Sequence, residues 1–103
     1  MKKKCVCISG STYGIGYGIA EAFAHTGARL VINSRSEGNE ALKKLTNITE
    51  CHFVKADLST VGGARNLIEK SYDLLGHLDT LVNNAGTFVD SGFENINEET
   101  FNQ

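Results

Sequence analysis

The chain contains no proline, no low-complexity tract and no internal repeat, so no segment reads as a rigid linker or a solenoid unit. No apolar run approaches the ~18 residues of a membrane span. The basic start, Met-Lys-Lys-Lys, is followed by an apolar stretch, Cys5 to Ser9, too short for the ~7–15-residue core of a secretory signal. Excess charge of one sign is also lacking. A net charge of −2 leaves no electrostatic footprint for nucleic acid or an anionic membrane surface. The three cysteines are odd in number, and Cys5 and Cys7 stand too close for a Cys-x-x-Cys cluster. On a strand both thiols would share one face as core filler. His25, His52 and His77 are scattered, with no i, i+4 pair and no carboxylate cluster, and no metal site is expected. The expectation is a cytoplasmic protein of at most one small domain, which buries about two thirds of its unfolded surface.

What the chain does have is a regular alternation of short and long hydrophobic periods. Residues 4–8, 29–33, 51–55 and 79–83 read as short buried strands. Between them, Ile15, Ile19, Ala20, Phe23 and Ala24 follow helical spacing up to a stop at Gly27. Asn39 to Leu45 make a weaker helix. A long third stripe runs from Ala64 through Leu67, Ile68 and Leu75 to Gly76. Asn97-Glu98-Glu99 looks like the cap and first turn of a further helix. Strands separated by helices of this length must run parallel, because the chain needs a crossover to return to the same edge. The expected fold is therefore α/β: a doubly wound parallel sheet of Rossmann type, β-α-β-α-β-α-β, with a crevice at the carboxyl ends of its strands.

Two motifs fall at such strand ends. After the first strand, Gly10, Gly14 and Gly16 stand in a G-x-x-x-G-x-G spacing. Gly10 would permit a tight turn, Gly14 would let backbone approach a pyrophosphate, and Gly16 would let the helix pack close on the sheet. The helix N-terminus offers unpaired N–H groups and a partial positive charge, and Ser11 and Thr12 add hydroxyl donors. After the fourth strand come Asn83, Asn84, Ala85 and Gly86. One asparagine amide could bridge the diverging backbones while the other faces a ligand.

Taken in order and spacing, "SGSTYGIG", "ADLS" at 56–59 and "NNAG" at 83–86 resemble the N-terminal part of a short-chain dehydrogenase/reductase, from Lys4 onward. Ser9 stands where that family more often has threonine. The resemblance implies that Ile15 lies near the phosphates. It also implies that the Asp57 carboxylate and the Leu58 backbone hold the adenine, and that Asn83, Ala85 and Gly86 line the ribose side. On its own, Asp57 would read as a turn or cap aspartate.

The end of the second strand bears on the cofactor. An acid there would accept hydrogen bonds from the adenine ribose 2′-hydroxyl, whereas an arginine accommodates a 2′-phosphate. The sequence reads Asn33, Ser34, Arg35, Ser36, with no acid before Glu37. NADP(H) is expected over NAD(H), with modest affinity because Tyr13 stands where some members carry a second basic residue.

No catalytic residue is expected within the chain. The resemblance implies a tyrosine acid with a lysine four residues later and a substrate-orienting serine, yet none of Tyr13, Tyr17 and Tyr72 has such a lysine. The expectation is the N-terminal cofactor-binding part (1–103) of a single domain, incomplete at its C-terminus. Its full-length parent would transfer hydride between nicotinamide and a small carbonyl or alcohol substrate, and the isolated chain would self-associate. Two alternatives stand beside it: a catalytically empty dinucleotide-binding module, and an interaction module that binds no nucleotide.

Overall fold

The computed structural model describes residues 3–84. Four strands, β1 (Cys5–Ile8), β2 (Arg29–Ser34), β3 (Cys51–Lys55) and β4 (Thr80–Val82), alternate with α1 (Gly14–His25), α2 (Asn39–Thr46) and α3 (Val61–Leu75). All strand pairs are parallel and the sheet order is β3-β2-β1-β4. The chain grows one way from β1 through β2 to β3, then returns to place β4 on the other side of β1. That reversal is the switch point of a doubly wound sheet, and it lies between β1 and β4. The helix opening read at Asn97 lies outside the described residues, as do Ala85 and Gly86.

Strand parity sorts the core into two layers. Cys5, Cys7, Val31 and Leu81 point to one face, where Leu67, Ile68 and Leu75 of α3 cover them. Val6, Ile8, Leu30 and Ile32 point to the other, under Ala20 and Ala24 of α1 and Ala41 and Leu45 of α2. All three cysteines are buried and free, and burial pushes the Cys7 and Cys51 thiols up to about 12. Among the described residues, no helix is long and apolar enough to cross a membrane.

One boundary differs from the periodicity. The helical stripe starts at Ala64, yet α3 begins at Val61 because Thr60 caps it: the Thr60 hydroxyl accepts the Gly63 N–H at 2.9 Å. At the other end Gly76 adopts φ 85° and donates its N–H to the Tyr72 carbonyl at 2.8 Å, so the helix stops where the glycine was expected to stop it.

Candidate functional site

The carboxyl ends of β1, β2 and β3 and the segment after β4 enclose a cavity of about 690 Å³. Its floor is the turn after β1. Gly10 and Gly14 adopt φ 58° and 62°, a region where a side chain would be strained. The turn is braced from beneath. Ser11 is buried, its hydroxyl donating to the Ile8 carbonyl (2.6 Å) and accepting the Asn33 N–H (2.9 Å). The hydroxyl expected to be a ligand donor is therefore part of the scaffold. Ser11 and Thr12 do not line the cavity; Gly10, Tyr13, Gly14 and Ile15 do.

α1 starts at this turn, and among the described residues no side chain caps its N-terminus. Tyr13, at the cap position, makes no side-chain cap bond, and the first turn carries no acid. The leading amides of an α-helix have no intrahelical partner, so this end presents donors and partial positive charge to the cavity. Tyr13 and Ile15 flank Gly14 and are each 79% exposed. Gly16 sits where α1 comes closest to the strand ends. A Cβ there would strike the Gly10 carbonyl and Asn84 Nδ2, so its bareness lets α1 approach the β1 turn and the β4 end.

At the end of β2 the cavity is lined by Asn33, Ser34, Arg35 and Ser36. Asn33 is 2% exposed, and its amide is fully engaged. Oδ1 accepts the Gly10 N–H at 3.2 Å, while Nδ2 donates to the carbonyls of Val54 (3.0 Å) and Ala56 (3.3 Å). Ser34 Oγ donates to the Ser36 carbonyl (3.0 Å) and accepts the Ser36 N–H (3.3 Å), closing a small turn around Arg35. Arg35 is exposed and forms no ion pair among the described residues. Glu37, the first acid after the strand, lies 3.9 Å from Lys55.

From β3 come Ala56, Asp57, Leu58 and Ser59. Asp57 Oδ1 accepts both the Ser59 N–H (2.9 Å) and the Ser59 hydroxyl (2.7 Å), so it makes the turn an isolated aspartate would make, at the rim of the cavity. Those two bonds, and then the charge of Arg35, hold its carboxyl below the usual value. From β4, Asn84 lines the cavity and Asn83, exposed, does not. Asn84 is the bridging amide, with Nδ2 donating to the Gly10 carbonyl at 3.0 Å and its N–H reaching Ser9 Oγ at 2.9 Å. Adjacent identical residues gave no signal of which one bridges. Ala56 and Ser59, the outer residues of "ADLS", and Ser36 after β2 also border the cavity, although no binding role is read for Ala56 or Ser59 from the sequence.

The donor set of the site suits an extended anion. It offers helix-end amides, an arginine and hydroxyls, and among the described residues nothing in it can act as a tuned acid or nucleophile. A dinucleotide fits this donor set: bare backbone at Gly14 for close approach, and a cation outside the β2 end.

The short chain dehydrogenase family model matches residues 4–103. An uncharacterized oxidoreductase of Bacillus subtilis, YvrD, is 36% identical over 105 residues, covering 100% of this chain and 40% of its own length. The Pseudomonas aeruginosa RhlG/NADP active-site complex superposes with a TM-score of 0.76 at 36% identity, covering 82% of this chain and 34% of that one. An NADH-dependent reductase, A1-R′, complexed with NAD, gives 0.77 at 27% identity over 96% of this chain and 46% of its own. This chain thus spans less than half the length of these relatives.

Proposed function

The chain belongs to the short-chain dehydrogenase family, and on that premise we propose that its cavity binds a nicotinamide dinucleotide, NADP(H) in preference to NAD(H). The observation that carries the preference is Arg35, which lines the cavity with no ion-pair partner among the described residues and no acid before Glu37. A guanidinium there would fork onto a 2′-phosphate, and the Ser34–Ser36 turn holds the backbone that presents it.

In this reading the leading amides of α1, at Gly14, Ile15 and Gly16, hold the pyrophosphate. Gly10 and Tyr13 border it, while Ser11 supports the turn. Asp57 and Leu58 face the adenine. Asn83 belongs with the ribose side, together with Ala85 and Gly86, which lie outside the described residues. When bound, the cofactor supplies or accepts a hydride. The residues of this chain bind it and orient it. The whole protein would be a cytoplasmic oxidoreductase acting on a small carbonyl or alcohol, with residues 1–103 as the cofactor-binding part of its single domain.

Calorimetry tests the preference. Arg35→Ala should weaken NADPH binding by about 1.5–3 kcal/mol, the scale of a charged hydrogen bond, and leave NADH nearly unchanged. Ser34→Asp should favour NADH. Equal losses for both cofactors with Arg35→Ala would refute the 2′-phosphate role.

A further inference from the structure

The opposite end of the sheet holds a cluster that the cofactor reading does not use. The Cys5 Sγ, a His77 ring nitrogen and an Asp79 carboxylate oxygen all lie within 4.8 Å of one another. Sequence alone separates Cys5 from the other two by more than seventy positions; the β1–β4 pairing brings them together. We propose that Cys5, His77 and Asp79 form a binding site for one borderline-soft divalent ion of the zinc type, at the amino ends of β1 and β4.

The frame of the site is already rigid. Cys5 N–H donates to Asp79 Oδ2 at 2.7 Å and the Asp79 N–H returns to the Cys5 carbonyl at 2.8 Å, so the Cys5 backbone and the Asp79 carboxylate are held in one register. His77 sits in the turn just after Gly76, is exposed, and bridges the two. Its Nδ1 lies 3.9 Å from Cys5 Sγ and its Nε2 lies 3.1 Å from Asp79 Oδ2. Zinc bonds of ~2.0–2.3 Å in tetrahedral geometry set donor pairs about 3.3–3.7 Å apart, close to the thiol–imidazole separation here. One ring nitrogen would exchange its present contact for the ion, and water would fill the fourth position. The Asp79–Cys5 backbone bond accounts for the aspartate without any ion, but it requires neither the thiol nor the imidazole.

Donor type selects the ion. A sulfur, an imidazole and one carboxylate suit zinc or cobalt, whereas calcium and magnesium take oxygen. Charge also balances, with thiolate and carboxylate offsetting the two positive charges. Arg29 opposes the ion, its Nη1 3.5 Å from Cys5 Sγ, but Glu50 pairs with Arg29 through two bonds of 2.9 Å. Lys4 also acts on Asp79, and burial raises the Cys5 thiol pKa. Binding must therefore release the thiol proton to solvent and tighten as pH rises.

The test is titration of the untagged protein with cobalt(II), followed by its thiolate-to-cobalt charge-transfer absorption. One equivalent should bind with that band and be displaced by zinc, and zinc should raise the melting temperature. His77→Gln should weaken binding by about 10–100-fold or more, the scale already seen for loss of an outer-sphere partner, and Cys5→Ala should abolish the band. Should Cys5→Ala fail to fold, the exposed His77→Gln decides. Absence of the band, its survival in Cys5→Ala, or equal affinity in His77→Gln would overturn the proposal.

Discussion

Asn33 and Asn84 grip opposite ends of one residue. Asn33 Oδ1 accepts the Gly10 N–H and Asn84 Nδ2 donates to the Gly10 carbonyl, so two buried or half-buried amides from flanking strands fix the left-handed turn that floors the cavity. Asn33 reaches further, to the carbonyls of Val54 and Ala56, and so ties the β3 end to the same point.

Asn33→Ala should accordingly be a costly substitution. It leaves the Gly10 N–H and the β3 carbonyls without their partner in a site that is almost solvent-free, and an unsatisfied buried group costs about 1–3 kcal/mol. Asn33→Asp keeps the acceptor and loses the donor, so it should also destabilise. Urea unfolding reads both; a loss in Asn33→Ala below about 0.5 kcal/mol, the size of an ordinary surface change, would show that the brace is dispensable.

Gly16 and Gly18, two residues apart on α1, should respond in opposite directions to alanine. A Cβ at Gly18 meets nothing within 4 Å, so Gly18→Ala should stabilise by about 0.5–1 kcal/mol through the backbone entropy of the unfolded chain. At Gly16 the same methyl meets the Gly10 carbonyl and Asn84, and backbone must move to admit it. Gly16→Ala should lower the melting temperature and weaken dinucleotide binding together. Similar shifts for both variants would contradict the packing described here.

The order of strands and helices was legible because each element carries its own hydrophobic period. The positions of Gly10, Gly14 and Gly76 were legible because positive φ leaves a residue-type signature. Asn33 was not, since an asparagine at a strand end reads equally as a ligand contact or a buried brace, and only the converging carbonyls of Val54 and Ala56 tell them apart. The start of α3 was hidden behind Gly62-Gly63, whose low helix propensity is overridden by the Thr60 cap. The Cys5–His77–Asp79 cluster was illegible for a different reason. Its members meet only through a pairing of strands far apart in the chain, and no local pattern encodes that contact.

The Arg29–Glu50–His52 cluster gives stability a defined pH dependence. Glu50 accepts from Arg29 and from His52 (2.8 Å), which draws its carboxyl from 4.5 down to about 2. A depressed folded value means the contribution is fully present above the unfolded value near 4.5 and is lost as pH falls through about 2. The group is solvent-screened, so the contribution should stay within about 1 kcal/mol. Melting of the protein beside Glu50→Gln should show a gap at neutral pH that closes on acidification between those limits. A gap that widens on acidification would contradict the assignment.

Residues 1–103 alone should bind cofactor without turning it over. As hydride reaches a carbonyl carbon, the oxygen must gain a proton, and a free tyrosine with a pKa near 10 does this poorly unless a cation lowers it. Tyr13 is exposed at the mouth of the cavity, Tyr17 packs against the α1 layer, and Tyr72 lies exposed on α3. None has a lysine four residues on. Asn83 and Asn84 are neither acids nor bases. Losing the acid costs about 10²–10⁴-fold, and losing the groups that orient the substrate adds the positional term. NADPH oxidation across a panel of ketones and aldehydes should therefore stay at background while binding remains measurable. Gly14→Val separates this from contamination, because a β-branched side chain at φ 62° strains the start of α1 and should abolish cofactor binding. Turnover that survives repurification and disappears in Gly14→Val would place a proton donor within these residues and sink the prediction.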